Sequence, residues 1–219
     1  MTTTVNRPHR LTPKGHAVRQ KIIEAAADLI YERGVAGTSN ELVRQAAGIS
    51  GSQLSHYFPD KESLVRAVIA WRADTMIGLQ RNPPLGELDS IGKLRAWADS
   101  YTEREDVCTG GCSFGSLAAE VIKGELDVQD EIVAGFGRWR DLFERGLTAM
   151  RDRGDLRRAA DPGQLAYALM AAFQGGMLLT QAARDVGPLR AALSGTIDHV
   201  ASYAPRQQGV RAGKHRPEA

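Results

Sequence analysis

Between Thr38 and Leu64 the chain reads TSNELVRQAAGISGSQLSHYFPDKESL, and this run restricts the fold more than any other stretch. Thr38-Ser39-Asn40-Glu41 has the form of a capping box, in which a hydroxyl accepts from the first turn and Glu41 reaches back, so it starts a short helix ending near Ala47. Gly48-Ile49 makes a tight turn, Ser50 caps a second short helix through Tyr57, and Phe58-Pro59 breaks the chain. Asp60 then caps a longer helix whose apolar face includes Leu64, Val68 and Trp71. Leu42, Val43 and Ala46 are expected to face the core, Ile49 to anchor the turn, and Leu54 and Phe58 to lock the second helix down. Ahead of the run, Val18, Ile22, Ala26, Leu29 and Ile30 share one face of a helix from about Lys14 to Arg33, which Gly34 stops.

Two short helices joined by a glycine-containing turn, with a packing helix on each side, form the pattern of a helix-turn-helix DNA reader. Outward positions on the second helix are Ser50, Gly51, Ser52, Gln53, Ser55, His56 and Tyr57. Small and hydrogen-bonding groups there let a helix approach base edges closely, and Gln53 can bond adenine in bidentate fashion. His56 and Tyr57 sit where phosphates pass, and Lys61 with the N-terminus of its helix can hold a phosphate by charge and dipole together. Thr38 and Ser39 can do the same from the other side, and Arg44 with the basic arm of Arg7, Arg10 and Lys14 adds positive charge, since such arms can enter the minor groove.

Helical periodicity continues almost throughout, so the fold class is all-α: an N-terminal three-helix helix-turn-helix domain followed by a larger helical domain. At 219 residues, 42% hydrophobic and 25% charged, the chain can bury a core and amounts to about 1.5 average domains. The reading domain is placed at 14–62, a linking helix at 61–81 and the larger domain at 63–204, with 1–13 and 205–219 expected to be disordered tails. Asn82-Pro83-Pro84-Leu85-Gly86 marks a linker or turn. Further helices are expected near Leu88 to Glu103, Ser113 to Lys123, Val128 to Arg153, Pro162 to Arg184 and Pro188 to Tyr203. No apolar run approaches the roughly 20 residues of a membrane span, and MTTTVNRPHRLTPKG lacks the apolar core of a secretory signal, so a cytoplasmic protein is expected. Residues 1–61 hold eight Lys/Arg against five Asp/Glu and residues 204–219 four against one, so both ends are basic around a middle of net −4.

In the larger domain, Trp97, Tyr101, Phe114, Trp139, Phe143, Phe173 and Met177 are candidate walls of a ligand pocket, and Gln174 a polar handle. Leu165, Leu169, Ala172, Phe173, Gly176 and Leu179 on one helix and Leu189, Leu193, Ile197 and Val200 on the next form broad apolar faces, suited either to intrachain core or to a dimer interface. A two-fold dimer would set two recognition helices roughly 34 Å apart, one DNA turn, on a palindromic double-stranded operator. Cys108 and Cys112 have no further Cys or His near them in sequence, which argues against a metal site. Cys112, just before a helix start at Ser113, meets one condition for a thiol sensor. Gly111-Cys112-Ser113-Phe114-Gly115 spells a hydrolase nucleophile elbow, but Cys108 to Gly111 reads as a turn and no strand precedes the serine. Neither catalytic residues nor a cofactor is expected.

From Arg19 to Val68 the chain resembles the tetracycline-repressor (TetR) family of bacterial transcriptional regulators, on Gly34, Gly37-Thr38-Ser39, Ala46-Ala47-Gly48-Ile49-Ser50, Leu54, His56-Tyr57-Phe58 and Lys61-Glu62-Ser63-Leu64. The resemblance implies a homodimer with an N-terminal DNA-binding domain, a divergent helical domain for a small-molecule effector, and repression relieved by that ligand. Many members have Lys then Gly after the cap serine and an aromatic before the histidine; here those positions are Gly51, Ser52 and Ser55, which removes one phosphate-contacting charge and one aromatic contact. The competing reading is a helical adaptor that binds protein and lacks sequence-specific DNA binding.

Overall fold

The computed structural model describes residues 11–81, 86–104 and 106–205, and all its regular elements are helices. Residues 1–10, 82–85, 105 and 206–219, which hold most of the expected linker and tails together with Arg7 and Arg10 of the arm, lie outside the described residues. Helix α1 (Pro13–Gly37) begins inside the expected N-terminal tail: the Thr12 hydroxyl accepts from the Gly15 N–H at 3.1 Å, and Pro13 takes the first position, where its missing N–H costs nothing. Gly34, at φ +74°, breaks the helical path near its end as the sequence predicts. Helices α2 (Asn40–Ala47) and α3 (Gly51–Tyr57) follow, joined through Gly48 in the left-handed conformation, and α4 (Lys61–Arg81) runs on from them.

Helix α5 (Ile91–Thr102) is followed by a single helical turn, α6 (Val107–Gly110), in the stretch expected to be an irregular turn. Buried Val107 pins α6, because it enters the second buried cluster described below. Next come α7 (Ser113–Val121), α8 (Gln129–Asp152), α9 (Pro162–Ala183) and α10 (Gly187–Ala201), each within three residues of its predicted bounds. Asp161 caps α9 through Oδ1, which accepts from Gly163 N and Gln164 N at 2.9 and 3.1 Å.

Two buried clusters organise the chain. The first is built of modest aliphatic side chains, among them Ile22, Ala26, Val43, Ala47 and Val68, and it extends through Phe114, Leu117 and Val121 of α7 to Ile132 of α8. Its packing therefore does not stop at residue 62. The second is aromatic: Trp97, Trp139, Phe143 and Phe173 are at most 1% exposed and meet mostly edge to face, with centroids 4.8 Å apart for Trp97–Phe143 and 5.1 Å for Trp139–Phe173. Helices α9 and α10 close on each other at Gly176, where a Cβ would stand 3.0 Å from the Leu189 Cα, so the small residue serves an intrachain crossing.

That crossing takes up part of the expected dimer face. Leu165, Leu169, Phe173, Leu189, Leu193, Ile197 and Val200 are buried inside the chain, whereas Leu179 of the same face is exposed. Together with Leu179 at 59% exposure, Tyr167 and Leu178 at 60% and 67% and the open space beside Gly175 leave α9 with exposed apolar groups outside the crossing.

Candidate DNA interface and effector cavities

The reading surface is set by how α3 is anchored. Buried Leu54 and Phe58 fix its inner side, and half-buried Ile49 packs on the same core, so the rest of the helix is left outward. Ser50, Gly51, Ser52, Gln53, Ser55 and His56 are exposed and Tyr57 is half-buried, with its ring edge-on to His56 at 5.0 Å. The closed capping box lies here: the Ser50 hydroxyl accepts the Gln53 N–H at 3.2 Å, and Gln53 Oε1 accepts the Ser50 N–H at 3.0 Å. Gln53 thus holds its own helix start, which leaves Nε2 as the group free to donate into a groove.

At the front of α2 the expected box does not close. Ser39 is the cap, accepting from Leu42 N at 3.3 Å, while Glu41 is drawn to Arg44 Nε at 2.8 Å and Gln45 Nε2 at 2.7 Å. The Arg44 guanidinium beside Glu41 lowers its carboxyl pKa to about 2. Thr38 is buried and its hydroxyl donates to the Gly34 carbonyl at 2.8 Å, so in this structure it staples the end of α1 and is turned away from the reading face. Within α2 the inward alanine is Ala47, not Ala46, because the helix starts at Asn40 and turns Ala46 to solvent. Lys61 stands half-exposed in the first turn of α4, which Asp60 caps by accepting the Ser63 N–H at 2.7 Å. The same bond holds the Asp60 carboxyl below its usual range.

The expected ligand residues divide by their packing. Trp97, Trp139 and Phe143 are sealed in the aromatic core, and Phe114 fills the first cluster against Phe136 and Gly135, so these four lie outside the walls of the two cavities described next. Among the described residues neither indole N–H of Trp97 and Trp139 has an acceptor. Gln174 spends its amide beside Cys112 Sγ, at 3.6 Å. Tyr101, Phe173 and Met177 do border a cavity of about 330 Å³, reached between α4, α6 and α9.

Sequence reasoning missed the other half of that region. Tyr31 and Arg72 line both this cavity and a neighbouring one of about 380 Å³ between α1, α4, α6 and α7. The Tyr31 hydroxyl donates to the Gly110 carbonyl at 2.6 Å, and Glu120 Oε1 accepts from Val35 N and Ala36 N at 2.6 and 3.2 Å, so α6 and α7 grip the kinked end of α1. Only the Gly34 kink exposes those two N–H groups, and its position in sequence was the one signal pointing there. Burial pushes the Cys112 thiol pKa up, outweighing the N–H that Gly115 donates to it at 3.3 Å, so it lacks the thiolate character of a sensor. Ser113 follows this cap as the first residue of α7 with no strand before it, which removes the hydrolase elbow.

A capped, outward recognition helix on an aliphatic three-helix support, joined to a helical body with cavities, defines the chain as a helix-turn-helix DNA-binding regulator. Residues 22–68 match the family model for bacterial regulatory proteins of the tetR family, and residues 90–196 match the tetracyclin repressor-like C-terminal domain. The chain belongs to the TetR family of transcriptional regulators. It is similar to the HTH-type transcriptional repressor DhaR of Mycobacterium sp. strain GP1, 25% identical over 174 residues covering 78% of this chain and 86% of that protein. The HTH-type transcriptional repressor KstR2 of Rhodococcus jostii strain RHA1 is 33% identical over 88 residues, 40% of this chain and 43% of that one. In fold, a TetR-family regulator from Cytophaga hutchinsonii superposes with a TM-score of 0.78 at 16% identity, covering 90% of this chain and all of that one. The reduced form of NemR from Escherichia coli gives 0.72 at 22%, covering 86% and 97%. Among the described residues no helix is long and apolar enough to cross a membrane.

Proposed function

We propose that the protein is a homodimeric repressor that binds a palindromic operator and is released from it by a small molecule. The observation that carries this is the α3 face, six exposed small or hydrogen-bonding residues on a helix whose own cap is already closed. Gln53 offers Nε2 to a base acceptor in the major groove while Oε1 keeps the cap, a single donor contact in place of a bidentate one. Lys61, His56 and Ser39 take phosphates, and Arg44 joins them once it leaves Glu41. Residues 14–62 act as the reading head and 63–204 as the body, a division of labour laid over a core that is continuous between them. The exposed stripe of Tyr167, Leu178 and Leu179 supports dimerisation through α9, which would place two α3 helices on successive grooves. The names of the relatives DhaR and KstR2 favour repression over activation.

Fluorescence anisotropy of the protein on duplex from its own upstream region and on a scrambled duplex, at two salt concentrations, tests the reading. A specificity ratio of about 10³ or more is expected, and Lys61→Ala should reduce the salt slope by about one phosphate contact. Equal weak binding to every duplex in a genome-wide selection would instead favour the protein-binding adaptor.

A further inference from the structure

Arg72 is the least compensated cation near either cavity. Its side chain is only 18% exposed, in the middle of α4, and its guanidinium lies over the Trp71 and Tyr31 rings at 5.1 and 5.9 Å. It donates to the Ala27 carbonyl at 3.0 Å, a neutral acceptor. Its sole carboxylate partner among the described residues, Asp28 at 3.5 Å, is 75% exposed and largely screened by water. Desolvation lowers the Arg72 pKa, the sign of a charge that the fold does not fully balance, although a guanidinium stays protonated.

The other charges on the described wall of the 330 Å³ cavity cancel. Arg104 and Asp106 close on each other through two bonds of 2.9 and 2.6 Å. Cys112, with its raised pKa, is neutral. Among the described lining residues one positive charge is left over, at Arg72, beside apolar walls from Met76, Leu79, Phe173 and Met177. A guanidinium fork with one neutral carbonyl partner suits a carboxylate, which it can hold in bidentate fashion.

We propose that this cavity binds a monoanionic amphiphile, a carboxylate on an apolar chain, with the carboxylate on Arg72 and the chain along Met76, Phe173 and Met177. The inference rests on the ligand-responsive reading above and deepens it. Every present polar partner of Arg72 belongs to α1, the helix that supports α2 and α3, so a ligand carboxylate competes with Ala27 and Asp28 and loosens α1 from α4. The Tyr31 and Glu120 bonds to Gly110, Val35 and Ala36 then remain as polar ties beside the apolar packing of α1, which gives the shifted helix a pivot at its far end.

The test is calorimetric titration of the full chain with octanoate, octanol and octylammonium, in the wild type and in Arg72→Gln and Arg72→Lys, each first shown to be folded by its thermal transition. Octanoate should bind at least about tenfold tighter than octanol, with octylammonium weakest. Arg72→Gln should level octanoate and octanol, and Arg72→Lys should keep part of the preference. Octanol binding as tightly as octanoate, no octanoate binding at millimolar concentration, or a preference untouched in Arg72→Gln would each overturn the assignment. Operator release is read separately: octanoate that binds through Arg72 and leaves the operator complex intact upholds the site and overturns the release step of the proposed function.

Discussion

The two buried clusters are made of different material. Around α1 to α4 the core is mostly Ile, Val, Leu and Ala, with Phe58 as the buried aromatic that holds the end of the reading helix. Around α5, α8 and α9 the rings of Trp97, Trp139, Phe143 and Phe173 form an aromatic centre among Leu, Ala and Met side chains, with two indole N–H groups lacking acceptors among the described residues and a cavity against its rim. The difference lies at the centre of the second cluster, where four aromatic rings pack against one another and the surrounding aliphatic side chains leave a cavity at the rim.

The comparison is open to direct attack. If the aromatic core hangs on few residues, Trp139→Ala should cost about 4 kcal/mol in denaturant titrations, against about 3 for Ile22→Ala in the first core; the reverse order would break the distinction. Next in size are two glycines of α8. A Cβ at Gly146 would run into the Leu88 carbonyl, so Gly146→Ala should destabilise by about 2 kcal/mol. Gly137 has open space beside it, so Gly137→Ala should be neutral or gain up to about 1 kcal/mol from helix propensity. Equal melting shifts for the two would mean that the body is too soft for close approaches to matter.

Glu120 tests the grip of α7 on the kinked end of α1 within the first cluster. Glu120→Ala strips Val35 and Ala36 of their acceptor and should cost about 1.5 kcal/mol, with amide exchange quickening at those two residues first; unchanged exchange there would show that the tie does not hold. The smallest effect belongs to Glu41. Its pKa is lowered from 4.5 to about 2 by Arg44, so the folded form binds that proton more weakly than the unfolded one. The stability it contributes is full above pH 4.5 and disappears as pH falls towards 2. A Glu41→Gln variant should therefore show a shallower acid loss in that window than the wild type, and added salt should narrow the gap because the pair is exposed.

Much of the head was legible because its signals are local. The cap serines, Gly48, the break at Phe58-Pro59 and the spacing of Leu54 and Phe58 act within a few residues, and the structure follows them. Errors arose where two local solutions compete: Glu41 could reach back to the cap or forward to Arg44, and the charged partner won. In the body, periodicity found α5 and α7 to α10 and could not say which apolar face meets which. Leu165 and Leu169 look equally fit for a partner helix and for α10 until the chain is folded. Trp97 and Trp139 look like pocket walls until both rings are seen packed on Phe173.

The sequence by itself determined the helices apart from α6, the outward reading face and the family, since each rests on spacing along one segment. Tertiary structure alone decided that Arg72 lies half-buried beneath Tyr31, that Glu120 seizes N–H groups 85 and 84 residues away, and that the aromatic cluster is closed while its rim is open. The physical reason is range: caps and turns are satisfied by near neighbours, whereas desolvation and charge balance depend on whatever the fold brings within a few ångströms.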